Sequence, residues 1–166
     1  KGVKGRFMTI NDYSELIRGD RVRANTSPEI NQAIDTEIAA SVRFYASKTN
    51  YEITKRIKEL DLEWDIERYL EANAAIFTAI GSSMGFKKSR FWLILPLTVS
   101  IFLLQHAVQG WCPPVSVFRR LGIRTRREIE VEKYALKALR GDFDEVSDQE
   151  ISINRAKKAV TESRSV

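Results

Sequence analysis

Two side chains in this sequence have the widest chemical repertoire, and they lie six positions apart. His106 is the only histidine and Cys112 the only cysteine. A thiol placed near Arg119 and Arg120 could have its pKa lowered by those cations, and the thiolate could then accept a sulfane sulfur or act as a redox thiol. The competing role for Cys112 is that of a small apolar residue at a turn set by Pro113 and Pro114. His106 lies in an uncharged run together with Gln105 and Gln109, where an imidazole could bind haem as a ligand or relay a proton. Hydrogen bonding across a helix interface is the plainer role for all three. Little else suggests catalysis. There is no glycine-rich phosphate loop, and one histidine leaves no Ser-His-Asp set. One cysteine excludes an internal disulfide framework and any Cys-based zinc or iron-sulfur site within one subunit. Asp61, Glu63, Asp65 and Glu67 read as carboxylates on a solvated helix, with no histidines to complete a di-metal site. Glu71 and Asn73 read as interfacial. The sequence therefore predicts no enzyme, no metal and no cofactor.

The elements that hold these residues are set by one segment. From Phe91 to Gly110 the chain reads FWLILPLTVSIFLLQHAVQG, without Lys, Arg, Asp or Glu, in a protein that is 30% charged. As a helix it would extend about 30 Å, the thickness of a bilayer's hydrocarbon core. Trp92 and Trp111 stand at its two ends like an aromatic belt. Pro96 falls in its opening turns, where a missing N–H costs least. Gly110 followed by Trp111-Cys112-Pro113-Pro114 stops it. Before it, Leu70 to Phe86 is a second apolar run in which only Glu71 is charged. The connecting KKSR is short, so the two runs predict a helical hairpin. Gly81 and Gly85 form a G-x-x-x-G pair, with Ala75 and Ala79 a similar small pair, which would admit either another subunit or the second helix of the same hairpin.

The flanks are helical by pattern. Thr26 with Glu29, Thr49 with Glu52, Thr125 with Glu128 and Ser147 with Glu150 each have capping-box spacing. Ile30, Ile34, Ile38, Val42 and Tyr45 share one face of the first helix, and Ile53, Ile57, Leu60 and Trp64 one face of the second. Ile129, Leu136 and Leu139 line the helix after Thr125, and Ile151, Ala156, Ala159 and Val160 make a narrow stripe near the end. A short helix over Val115 to Leu121 precedes Gly122. No strand pattern competes, so the fold class is all-α, a central transmembrane helical hairpin flanked by amphipathic helices. The chain divides into an N-terminal arm (1–25), amphipathic helices (26–69), the hairpin (70–110), a surface turn and amphipathic helix (111–141), and a C-terminal helix or tail (142–166).

Charge gives an orientation. The 27 basic residues against 22 acidic leave +5, with signs interspersed, which fits an anionic membrane surface and argues against nucleic acid. Lys87, Lys88 and Arg90 occupy the connecting loop. Lys55, Arg56, Lys58 and Arg68 before the hairpin and Arg119, Arg120, Arg124, Arg126 and Arg127 after it outnumber them, so the positive-inside rule places both termini in the cytoplasm. Trp92, Trp111, Lys87, Lys88, Arg90, Arg119 and Arg120 are the expected membrane-interface residues. The opening KGVKGRFMTI has no long apolar core and does not read as a secretory signal.

Gly110-Trp111-Cys112-Pro113 followed by Leu121-Gly122-Ile123-Arg124-Thr125 resembles the small bacterial inner-membrane hairpin family typified by the transmembrane part of the YgaP rhodanese. The resemblance covers roughly residues 65–125, and Asp65-Ile66-Glu67-Arg68 lies where family members commonly carry an Asn/Asp-x-x-Glu-Arg type entry to the first helix. It implies a membrane-embedded, self-associating hairpin of the bacterial inner membrane without an assigned reaction. The flanking helices are additional to the minimal family hairpin. No rhodanese catalytic loop is present, so sulfurtransferase activity does not carry over.

The function expected is that of a non-enzymatic structural or accessory subunit or anchor, with membrane lipids and either further copies or a larger membrane complex as partners. Two rivals stand beside it: sulfur transfer or redox chemistry through Cys112, and a water-soluble helical oligomer that buries the hairpin between subunits.

Overall fold

A computed structural model describes residues 20–144 and 152–164, and every regular element among them is helical. In chain order these are α1 (Arg21–Ala24), α2 (Pro28–Tyr45), α3 (Asn50–Leu62), α4 (Ile66–Lys87), a 3-10 turn (Arg90–Leu93), α5 (Ile94–Gln109), α6 (Pro113–Arg120), α7 (Arg126–Arg140) and α8 (Ser152–Arg164). The all-α class is as expected from the periodicity. The first 19 positions, the Ser147–Glu150 capping pair and Ile151 of the C-terminal stripe lie outside the described residues.

α4 and α5 pack antiparallel along their lengths. Their lower ends meet at Glu67 and His106, and Leu70 packs with Phe102 and Leu103. At the far end Gly81 and Gly85 close the pair. A Cβ on Gly81 would come within 2.5 Å of Pro96 Cδ, and one on Gly85 within 2.5 Å of Leu93 Cδ2. The G-x-x-x-G spacing therefore faces the chain's own second helix. Ala75 and Ala79 remain exposed and take no part in that contact.

The base is a separate packing unit in which α7 lies against both α2 and α3. Ile53, Ile57 and Leu60 of α3 bury against Ile129 and Leu136 of α7. A second cluster, Val22, Ile66, Leu70, Cys112 and Val115, joins the base to the α4–α5 pair. Short α1 caps the end of α5. Arg21 Nη1 donates to the Ala107 carbonyl at 2.5 Å and Asn25 Nδ2 to the Gln109 carbonyl at 3.0 Å, two of the carbonyls that a helix end leaves without partners. Gly110 turns the chain there with φ at 73°, which suits a residue without a Cβ.

Three local expectations are corrected. Thr26 does not cap α2; the N-cap is Ser27, without a side-chain bond. Thr26 instead donates to the Val22 carbonyl and accepts from Arg119. Trp64 does not continue the buried face of α3, because that helix ends at Leu62 and Trp64 is 42% exposed in the turn before α4. Leu139 is likewise exposed at the end of α7. The boxes at Thr49 and Thr125 form as expected.

The contact at Gly81 sets a test. Gly81→Val forces a branched side chain into Pro96, and overpacking of this kind costs about 1–3 kcal/mol. The variant should melt earlier in detergent by circular dichroism, whereas Ala75→Val on the exposed face should melt with the parent chain. Equal melting of the two variants would mean that Gly81 does not face α5.

Candidate functional site

The polar centre of the molecule is at the base. Glu128, on the first turn of α7, receives both Nη atoms of Arg119 at 2.7 and 2.8 Å and Arg23 Nη1 at 2.6 Å. Arg119 also donates to Asn31 Oδ1, the Ile123 carbonyl and Thr26 Oγ1. Arg23 forms a two-point contact with Asp35 of α2, both bonds at 2.8 Å. One helical turn further, Glu132 accepts from Arg124, from Arg56 of α3 at 2.9 and 3.0 Å and from Ser41 of α2 at 2.6 Å. Arg124 reaches on to both oxygens of Glu63. Arg23, Arg56, Arg119 and Arg124 thus face Asp35, Glu63, Glu128 and Glu132, a set neutral in formal charge.

The electrostatics follow from burial. Desolvation alone would raise the Glu128 carboxyl, but bonding to and charge from Arg119, the Thr125 N–H and Arg23 outweigh it, and its pKa is lowered. Glu132 behaves likewise, burial opposing and Ser41 and Arg124 prevailing. For Arg124, desolvation favours loss of the proton, yet Glu63 and Glu132 hold the guanidinium charged and its pKa is raised.

Each residue singled out from the sequence has a definite place. Arg119 was expected at the headgroup layer, and the structure corrects this. Its side chain is 1% exposed and consumed by Glu128, so it reaches neither lipid phosphate nor the Cys112 thiol. Arg120 is exposed. Cys112 is fully buried. Burial raises its pKa, the charge of Glu67 adds to that, and a backbone bond from Val115 only partly opposes them. An enclosed thiol with a raised pKa is poorly suited to nucleophilic sulfur chemistry. His106 places Nε2 2.8 Å from Glu67 Oε2, tying the last turn of α5 to the first turn of α4. Among the described residues, no group of three or more His, Cys, Asp or Glu side chains is arranged to hold a metal ion. Trp111 donates through Nε1 to Ser116 Oγ at 2.9 Å. Trp92 with Lys87, Lys88 and Arg90 lies exposed at the opposite end of the α4–α5 pair.

The acidic run was read as solvated, which holds for exposed Glu67 but is corrected for Asp65, which is buried, and in part for Asp61 and Glu63, which are half-buried. Asp61 pairs with Lys133, Glu63 with Arg124 and Glu67 with His106. Asp65 caps α4 by accepting from the Arg68 N–H. The arrangement is one of structural ion pairs.

Arg23, Asn31, Asp35 and Arg56 were not foreseen in any site. One signal was available for Glu132. It stands three residues after Ile129 and four before Leu136, on the buried stripe of α7, and a charge at such a position requires a partner. Comparison of the chain with protein-family models, with curated proteins and with solved structures returns no match.

Removing Glu128 leaves Arg23 and Arg119 buried without their shared carboxylate. Glu128→Ala should cost about 3–5 kcal/mol in unfolding experiments, while Arg126→Ala, which breaks an exposed i,i+4 pair, should cost about 0–1 kcal/mol. The pH sign follows from the lowered carboxyls. Their contribution is complete above the ordinary value of 4.5 and is lost as pH falls below it through the folded-state values. Melting temperature should drop across that acidic range, and a flat profile there would contradict the assignment.

Proposed function

We propose that this chain is a non-enzymatic membrane protein in which α4 and α5 form a transmembrane hairpin and the remaining helices make a cytoplasmic base. Its role is that of an anchor or accessory subunit. One observation carries the reading: the apolar helical stretch Arg90–Gln109, the 3-10 turn together with α5, is long enough to cross a bilayer, yet only 6% of it is buried. A core helix of a soluble protein would be covered by its own chain. Here Leu93, Ile94, Leu97, Ile101, Leu104 and Val108 are all exposed, and a contiguous apolar surface marks a place that meets a membrane or another protein. On the neighbouring helix Ile76, Phe77, Ile80 and Phe86 extend the same surface.

The base supports two passes rather than one. α2 and α3 precede the hairpin and α7 follows it, yet Arg23–Glu128 and Arg56–Glu132 join them. If α5 crosses, the chain must return, and α4 is the segment that brings it. At 22 residues it is about 33 Å long. Exposed Lys58, Arg68, Arg120, Arg126 and Arg127 on the base side favour a cytoplasmic base by the positive-inside rule. The hairpin with its Gly-Trp-Cys-Pro exit also supports kinship with the YgaP-type hairpin family of the bacterial inner membrane.

Fractionation tests the proposal. The full chain should stay with membranes through alkaline carbonate and float with vesicles. Replacing both Leu97 and Leu104 by Arg places charges on the lipid face, each costing about 2.5–3.5 kcal/mol on insertion scales, and should abolish flotation. A parent chain recovered in the supernatant without detergent, as a helical oligomer, would overturn the proposal.

A further inference from the structure

Where α4, α5 and α6 meet, the base and the hairpin leave a cavity of about 270 Å³. Leu70, Asn73 and Phe77 of α4, Phe102 of α5, and Val117 and Phe118 of α6 line it. The lining has one amide, Asn73, whose Nδ2 donates to the Tyr69 carbonyl at 2.7 Å, and is otherwise apolar. Typical sites for drug-sized ligands occupy roughly 300–1,000 Å³, so this one suits a single flexible chain better than a ring system with polar substituents.

Its position indicates what fills it. Three residues separate the end of α5 from the start of α6, so the cavity lies at the level where the apolar hairpin meets the polar base. Its rim is exposed on both sides of the junction, Phe77 of α4 at 47% and Val117 of α6 at 56%. From Phe118 a row of rings leads outward. Phe118 meets Tyr69 at 6.1 Å, Tyr69 meets Trp64 at 5.3 Å, and the Arg68 guanidinium sits 4.8 Å over the Trp64 ring. Arg68 is exposed and pairs with no carboxylate among the described residues. Arg68 stands two positions before Leu70 of the lining, and an apolar cavity with an exposed cation close to it on the same helix suits an amphiphile with an anionic head.

We propose that the α4–α5–α6 cavity holds one acyl chain of an anionic phospholipid, with its phosphate at Arg68. This rests on the membrane reading above. The bound lipid fills the junction between hairpin and base, which the protein's own side chains leave open.

The test uses the full chain extracted from membranes in mild detergent and washed extensively, with retained phospholipid measured by solvent extraction and mass spectrometry. The parent chain should retain phospholipid in a fixed ratio to protein, enriched in anionic species over the membrane average. Val117→Trp, which fills the slot from its exposed rim, should lower retention several-fold, and Phe77→Trp should do the same from the α4 side. Arg68→Gln should remove the anionic enrichment. Circular dichroism melting of each variant in the same detergent confirms that it is folded. Folded tryptophan variants retaining as much lipid as the parent would overturn the slot assignment, and unchanged headgroup preference in Arg68→Gln would overturn the phosphate assignment. A chain that needs no detergent would instead defeat the membrane reading itself.

Discussion

The interaction on which the rest of the structure depends is the contact of Glu128 and Glu132 with arginines from both sides of the hairpin. Arg23 and Arg56 come from before α4, while Arg119 and Arg124 come from after α5, and all four converge on two adjacent turns of α7. Chain segments that the hairpin separates by more than forty positions are held within hydrogen-bonding distance. The base closes, and the α4–α5 pair must leave it and return on the same side.

Closing with charge has consequences that closing with leucines would not. Buried ion pairs gain little over apolar packing in net stability, but losing one partner is costly because the other charge stays buried. The network therefore favours a single arrangement over near alternatives. Arg119 meets Glu128, Asn31, Thr26 and the Ile123 carbonyl together, a set satisfied only when α2, α6 and α7 are in register. α6 in turn holds Cys112 and Val115 against Ile66 and Leu70 at the foot of α4, so the register of the base reaches the hairpin directly.

Much of this was legible in the sequence, and the parts that were not share a cause. Helix existence, the stop at Gly110, the capping boxes at Thr49 and Thr125 and the buried stripes of α3 and α7 all follow from local spacing, since neighbours a few residues apart decide them. Thr26 looked like a capping residue because its local spacing was right, but a distant Arg119 takes its hydroxyl. Glu63 and Arg119 looked solvent-facing because composition favours that for charged residues. They are held instead by partners up to 93 positions away, which no local pattern contains. Cys112 lost its apparent reactivity because burial raises its pKa and Arg119, near it in sequence, is bound to Glu128.

The central claim is that the face of α5 bearing Leu97, Ile101 and Leu104 is solvated by lipid chains. The most direct measurement places a fluorophore on a single cysteine at position 97 in a Cys112→Ser background, with a second label at Lys58, and reconstitutes each protein in vesicles whose acyl chains are brominated. The account predicts strong quenching at position 97 and little at position 58. An unquenched label at position 97 in reconstituted protein would show that this face is covered by protein, and would contradict it.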